Sequence, residues 1–363
     1  MDGVSAGLPG SADWTRLGAR LRRSRRIAIG GSALLLLACF VFAAGTGAYA
    51  IAPGRLLQVL GALFTGTADP SPEYLVFVNI RLPRLLLGVA AGLGLGMAGT
   101  LMQGMFRNPL ADPGLIGISS GAALAAGVTI VLGAAFLPML PRSLGSWTLV
   151  SMAFAGGFLV TLMIYGLSQS EGGTRIALML LAGIAVNALA GAGLGFLSVI
   201  ATDEQLRSLQ FWLLGSLGGA RWSAVALVGT VVLLACGAAL ALAAPLNAIA
   251  LGESQAHLLG VDVERTKRRA ILVTAFAVGS VTATTGIIGF IGLIAPHWVR
   301  MVAGPDHRTV LPASGLVGAA LVLAADAVAR TVMAPAELPL GVLTAVIGVP
   351  MFLVMLRHFK GRV

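Results

Sequence analysis

Long apolar runs, broken by short polar turns rich in proline and glycine, set the pattern of this 363-residue chain. The first run covers 27–48. Others follow near 85–106, 115–137, 147–167, 176–200, 222–243, 270–287, 288–304, 309–331 and 338–356. About 20 apolar residues are enough to cross a bilayer as a helix. The runs do not alternate apolar and polar positions as barrel strands do, so helices are the expected spans. The stretch 270–304 is too long for one crossing, and Gly286 and Gly289 offer a place to turn. The pattern thus predicts an all-α polytopic membrane protein with about ten transmembrane helices.

Two segments depart from the span pattern. Residues 50–64 read as a short amphipathic helix on the outer surface, and 201–221 as a second outer excursion with Trp212 and Trp222 near the interface. The span at 85–106 is entered through Arg81-Leu82-Pro83-Arg84 and left through the polar turn Arg107-Asn108-Pro109-Leu110-Ala111-Asp112-Pro113-Gly114. Gly-Leu-Ile-Gly at 114–117 and Gly-Leu-Ile-Ala at 292–295 hint at an internal repeat, but four residues are too few to establish one.

Composition excludes a soluble domain. The chain is 57% hydrophobic and 10% charged, with a mean hydropathy of +0.94. A soluble protein carries about a quarter charged residues. The 49 glycines suit close approach between membrane helices. The net charge of +10 does not point to nucleic acid, because the basic residues cluster just outside spans and no aromatic-interleaved patch accompanies them. In the ten-span arrangement both termini share a side. That side holds 17 of the 24 Lys and Arg, including Arg16, Arg20, Arg22, Arg23, Arg25 and Arg26 before the first span. The other holds Arg55, Arg81, Arg84, Arg142, Arg207, Arg221 and Arg330. The bias places both termini in the cytoplasm. Residues 1–26 are then a basic cytoplasmic tail, 27–356 the transmembrane domain and 357–363 a second tail. The first span reads as a retained signal anchor, since it exceeds a usual signal core.

Candidate chemistry is sparse. Cys39 and Cys236 stand alone in apolar runs and form no metal-ligand or disulfide pattern. Asp326 is the one acid deep in a span; Arg330, four residues on, shares its helical face and makes a local pair the expected arrangement. His257, His297, His307 and His358 have no second ligand at helical spacing and read as packing or interfacial residues. A phosphate-binding P-loop needs a lysine after glycine and before Ser or Thr. The two lysines, Lys267 after Thr266 and Lys360 after Phe359, cannot complete it. ATP, if used, is hydrolysed on another subunit. The largest cytoplasmic connection, 244–269, repeats Leu251-Gly252 as Leu259-Gly260 around Ala256. It reads either as a compact helical turn for a partner's groove or as an ordinary loop with a basic stop signal.

The chain resembles permeases of the FecCD-type importer family, which serves iron siderophores, haem and cobalamin. The matching stretches are Arg81-Leu82-Pro83-Arg84, Asn108 to Gly114, Ala250-Leu251-Gly252-Glu253 to Leu259-Gly260, Gly289 to His297, Asp306-His307-Arg308 and Glu337-Leu338-Pro339-Leu340-Gly341. The resemblance implies a type II ABC importer permease: a homodimer in the bacterial inner membrane, with two cytoplasmic ATPase subunits and a periplasmic substrate-binding protein as partners. No cofactor is expected on this chain; ATP and Mg belong to the ATPases. It also implies roles. Arg81, Arg84 and Arg330 resemble arginines that dock the binding protein, with anchoring to lipid phosphate as the alternative. Asn108, Leu110 and Thr174 resemble cytoplasmic gate residues. Leu251, Gly252, Glu253, Ala256, Leu259 and Gly260 resemble the loop that couples to the ATPase. The haem branch is the nearest in the 110–121 and 215–219 stretches, ahead of a ferric siderophore and cobalamin as cargo. An ion-coupled secondary transporter is the rival of another class.

Overall fold

Apolar runs with no water to satisfy the backbone fold as helices. A computed structural model describes residues 11–47, 49, 51–66, 71–136, 145–171, 173–334 and 336–360. Residues 1–10 and 361–363 of the two expected tails, and Arg142, lie outside the described residues. The helices are α1 (Ser11–Gly45), α2 (Pro53–Thr65), α3 (Pro72–Val76), α4 (Leu82–Met105), α5 (Ile118–Phe136), α6 (Ser146–Leu167), α7 (Ile176–Ile200) and α8 (Asp203–Leu214). They continue as α9 (Trp222–Ala241), α10 (Ala243–Ala250), α11 (Glu253–Leu258), α12 (Val263–Thr285), α13 (Ile291–Ala303), α14 (His307–Thr331) and α15 (Leu340–Lys360).

Each expected span has a helix. Among the described residues, seven helical stretches are long and apolar enough to cross a membrane by themselves. α5 and α13 contribute shorter apolar cores, and α12 opens on the charged run Glu264 to Arg269. The expected span at 288–304 is corrected. α13 begins only at Ile291 and has 13 residues, about 20 Å at 1.5 Å per residue, short of the ~30 Å hydrocarbon layer. The break before it has a local cause. Gly286 adopts φ 72, and a Cβ there would sit 2.1 Å from the Trp212 carbonyl oxygen. Phe290 is also left-handed, at φ 67.

The amphipathic helix expected over 50–64 is α2. The excursion at 201–221 contains α8, closed at its start by a capping box between Thr202 and Gln205. A feature absent from the expectation is the two-residue hairpin β1 (Gln169–Ser170) and β2 (Gly173–Thr174), which joins α6 to α7.

α4 and α14 form the interior. Their apolar windows are 83% and 78% buried, against 17–28% for α1, α6, α7, α9 and α15. Glycines make that possible. A Cβ at Gly92 would lie 2.3 Å from the Ala319 Cα, and one at Gly96 2.1 Å from the Ser314 carbonyl oxygen. Backbones in contact replace side chains in contact. The Arg81-Leu82-Pro83-Arg84 stretch does not interrupt the helix direction. A π-helical segment, Phe77–Arg81, absorbs the proline's missing N–H and runs directly into α4.

Candidate functional site

The arginines of the first motif are buried, not free. Arg81, Arg84 and Arg330 are 4%, 8% and 7% exposed. Arg84 and Arg330 converge on Asp326, itself 1% exposed. Arg84 reaches Asp326 Oδ1 through Nε at 3.0 Å and Nη2 at 2.8 Å. Its two terminal nitrogens also fork onto Glu337 Oε1 and Oε2 at 2.8 and 2.9 Å. Arg330 pairs with Asp326 Oδ2 at 2.9 Å, as the i,i+4 spacing implied. Its remaining nitrogens donate to the Ala43 and Thr46 carbonyls at 3.2 and 3.0 Å. Arg81 donates to the Ala44 carbonyl at 2.8 Å and to the Tyr49 carbonyl. The two arginines thus cap the end of α1, where helix carbonyls lack internal partners. Arg81, Arg84 and Arg330 all donate to acceptors within this chain. Glu337 is the exposed member, at 43%. The Arg84 fork holds its carboxyl below the ordinary value, against a smaller opposing effect of burial.

At the other end of α4 the chain turns sharply. Arg107 takes φ 51. Asn108 Oδ1 accepts from the Leu110 N–H at 2.9 Å, and Asp112 Oδ1 from the Gly114 N–H at 2.7 Å. These Asx turns hold the polar segment locally. Pro113–Ile116 form a 3₁₀ turn beside α13, where a Cβ on Gly292 would meet Pro113 Cδ at 3.2 Å. The two Gly-Leu-Ile stretches take different forms, one lying in a 3₁₀ turn and the other in an α-helix. Beside this turn is a cavity of about 410 Å³, lined by Leu95, Asp112, Ser119, Ser120, Asn187 and Phe290 among others. Ser120 Oγ donates to Asn187 Oδ1 at 2.6 Å. The lining is mostly apolar, with a few hydroxyl and amide groups.

The connection after α10 is compact. Gly252 at φ 125 and Gly260 at φ 78 bracket α11. Both values favour glycine. Ala256 is fully buried against Ala248, Ile249 and Val263. Leu251, Leu258 and Leu259 are 67%, 88% and 63% exposed. A helical turn of this form, small inside and apolar outside, is not an ordinary loop. Asn247 fastens α10 to the start of α14, donating to Asp306 at 2.6 Å and accepting from the His307 N–H at 2.9 Å.

Thr174 lies in β2, remote in sequence from this loop but joined to it. Its N–H and Oγ1 donate to Glu264 Oε2 at 2.9 and 2.6 Å. Burial would raise the Glu264 carboxyl, but Thr174 and Lys267 hold it below the ordinary value. Lys267 bonds both Glu264 and Glu253. So the structure brings Thr174 together with Glu253, and Arg84 with Arg330, while Asn108 and Leu110 form a separate turn. The sequence reading missed Glu337, Glu264 and Lys267 as partners. Glu337 opens the Glu337-Leu338-Pro339-Leu340-Gly341 motif, and Lys267 sits in a basic run that gives no sign of its burial.

The comparisons with known proteins agree with one another. The FecCD transport family model matches residues 35–358. The chain is 47% identical over 288 residues to the hemin transport system permease protein HmuU of Yersinia pestis, covering 79% of this chain and 85% of that one. It is 41% identical over 293 residues to the cobalamin import system permease protein BtuC of Halobacterium salinarum, covering 81% and 76%. Among solved structures, a metal-chelate-type ABC transporter in an inward-facing conformation superposes with a TM-score of 0.78 at 31% identity, over 91% of this chain and 98% of the other. The chain belongs to the FecCD transport family.

Proposed function

We propose that this chain is the permease subunit of an ATP-driven importer that carries haem across the bacterial inner membrane, with both termini in the cytoplasm. Two copies enclose the path. Two ATPase subunits bind the cytoplasmic side, and a periplasmic binding protein delivers the cargo. The observation that carries the cargo assignment is the 47% identity to a hemin permease along most of both chains. Cobalamin is the second reading, favoured by the 41% identity to a cobalamin permease.

The geometry supports a division of roles. α11, with Leu251, Leu258 and Leu259 exposed, is an apolar knob for a groove on each ATPase. Leu251, Gly252, Glu253, Ala256, Leu259 and Gly260 form this coupling element. Asn108 and Leu110 on one side and Thr174 on the other close the cytoplasmic end of the path. The cavity beside Ser120 and Asn187 belongs to that path; its few polar groups hold a large chelate loosely, as rapid release requires. For docking, the arginine network offers Glu337 as its exposed rim. An acidic residue of the binding protein replaces Glu337 on Arg84, since a guanidinium takes carboxylates by the same two-pronged contact.

No segment of this chain completes a P-loop, so ATP and Mg sit on the partner subunits. Reconstitution with the ATPases and binding protein tests the reading: haem, a ferric siderophore and cobalamin are offered in parallel. ATP-dependent accumulation of haem above the other two is expected. Uptake that ignores ATP and collapses with an uncoupler would instead mark an ion-coupled carrier.

A further inference from the structure

Lys267 is 2% exposed, an unusual place for a lysine in any protein. It is one turn into α12. Its ammonium has three donors, and three acceptors meet them. Glu253 Oε1 is 2.9 Å away, at the first turn of α11. Glu264 Oε1 is 3.1 Å away, on α12 itself. The third is the Thr174 carbonyl on β2, at 3.3 Å. Glu264 closes the ring by accepting from the Thr174 N–H and Oγ1. Gly173 allows the approach: a Cβ there would come 2.7 Å from Glu264 Oε1.

We propose that Lys267 is a positioning residue that transmits movement of α11 to the β1–β2 turn bearing Thr174. This rests on the reading of the chain as an ATP-driven importer, and it adds a route by which one event reaches the other. α11 is flanked by two left-handed glycines, so it moves as a unit about those turns. Sideways displacement of α11 pulls Glu253 from the ammonium. A buried ammonium that loses one acceptor is left with an unpaired donor, which is costly. The remaining arms therefore follow α11 rather than let it go. Because Glu264 grips the Thr174 backbone and hydroxyl together, the turn is carried as a body.

The test uses the complete complex with its ATPases, in nanodiscs, with Cys39 and Cys236 replaced by serine. Spin labels are placed in separate preparations at the exposed residues Ser254, on α11, and Glu171, on the hairpin. Distances between the two copies are read by pulsed spin resonance with and without ATP. In the unmodified chain both distances shift on ATP binding. In Lys267→Gln the shift at 254 persists and the shift at 171 is lost; cargo moved per ATP falls at least about tenfold, the scale of a lost charge-assisted bond. Lys267→Arg restores part of both. Glu253→Gln cuts only the α11 arm and gives the same separation with the Lys267–Glu264–Thr174 contacts kept, so it serves if Lys267→Gln does not assemble. A label at 171 that still follows 254 in both variants overturns the proposal. If neither label moves in the unmodified complex, the importer reading fails and the proposal with it.

Discussion

Asp326 is the most consequential single side chain in the interior. It is 1% exposed and faces two guanidinium groups that are themselves buried. Asp326→Asn keeps the shape and removes the charge. Arg84 retains its fork to Glu337, but Arg330 keeps only backbone carbonyls. Removing one partner of a buried pair costs about 3–5 kcal/mol, since the remaining charge stays out of water. Glu337→Gln is the control. Glu337 shares Arg84 but is 43% exposed, and an exposed pair contributes about 0–1 kcal/mol. Replacing Arg330 by Met as well as Asp326 by Asn removes the stranded cation, so the double variant recovers part of the loss. The assay is reversible denaturation in mixed detergent micelles, followed by helical circular dichroism. If Asp326→Asn costs no more than Glu337→Gln, or if the double variant is worse by the sum of its parts, the buried-cluster account is wrong.

Three further outcomes are expected. Gly96→Leu puts a Cβ 2.1 Å from the Ser314 carbonyl oxygen; the strain exceeds the ~1–3 kcal/mol of ordinary overpacking, and size-exclusion profiles in detergent should lose the monodisperse peak. Leu258→Glu alters a side chain 88% exposed, so stability changes by less than about 0.5 kcal/mol, while co-purification with the ATPase is lost; retained binding would move the contact away from α11. The Glu264 carboxyl is held below its ordinary value, so its contribution is full above the unfolded value of about 4.3 and is lost as pH falls through the folded one. Proteolytic nicking near the 169–174 hairpin should therefore stay flat from neutral pH to about 5 and rise below about 4, a rise that Glu264→Gln abolishes.

The helices were legible because a bilayer leaves so few alternatives. Length and unbroken apolarity are enough to mark α4 or α14, and Gly286 marked the break before α13. What was not legible is how charges are spent. Arg81 and Arg84 flank a proline at a span end, and the same letters serve docking, lipid anchoring or helix capping. Only the fold brings Ala44 of α1 to Arg81 and Ala43 to Arg330. Glu337 lies 253 positions from Arg84, and no local pattern encodes a pair at that distance. The Asp326–Arg330 pair was legible because helical spacing alone joins it. Likewise Lys267 counts as one more positive-inside residue until β2 is folded against it; nothing in the run Arg265 to Arg269 separates it from the exposed Arg265, Arg268 and Arg269. α13 was drawn too long because hydropathy does not register a left-handed Phe290.

The central claim is that this chain shapes a passage while energy is supplied by another subunit. Proteoliposomes containing the permease with ATPase subunits defective only in hydrolysis test it most directly, beside matched vesicles with active ATPases. Labelled haem is offered outside with the binding protein, and ATP is enclosed. The account predicts concentrative uptake with active ATPases and none with the defective ones. Equal concentrative uptake in both, or uptake by this chain alone, would contradict it.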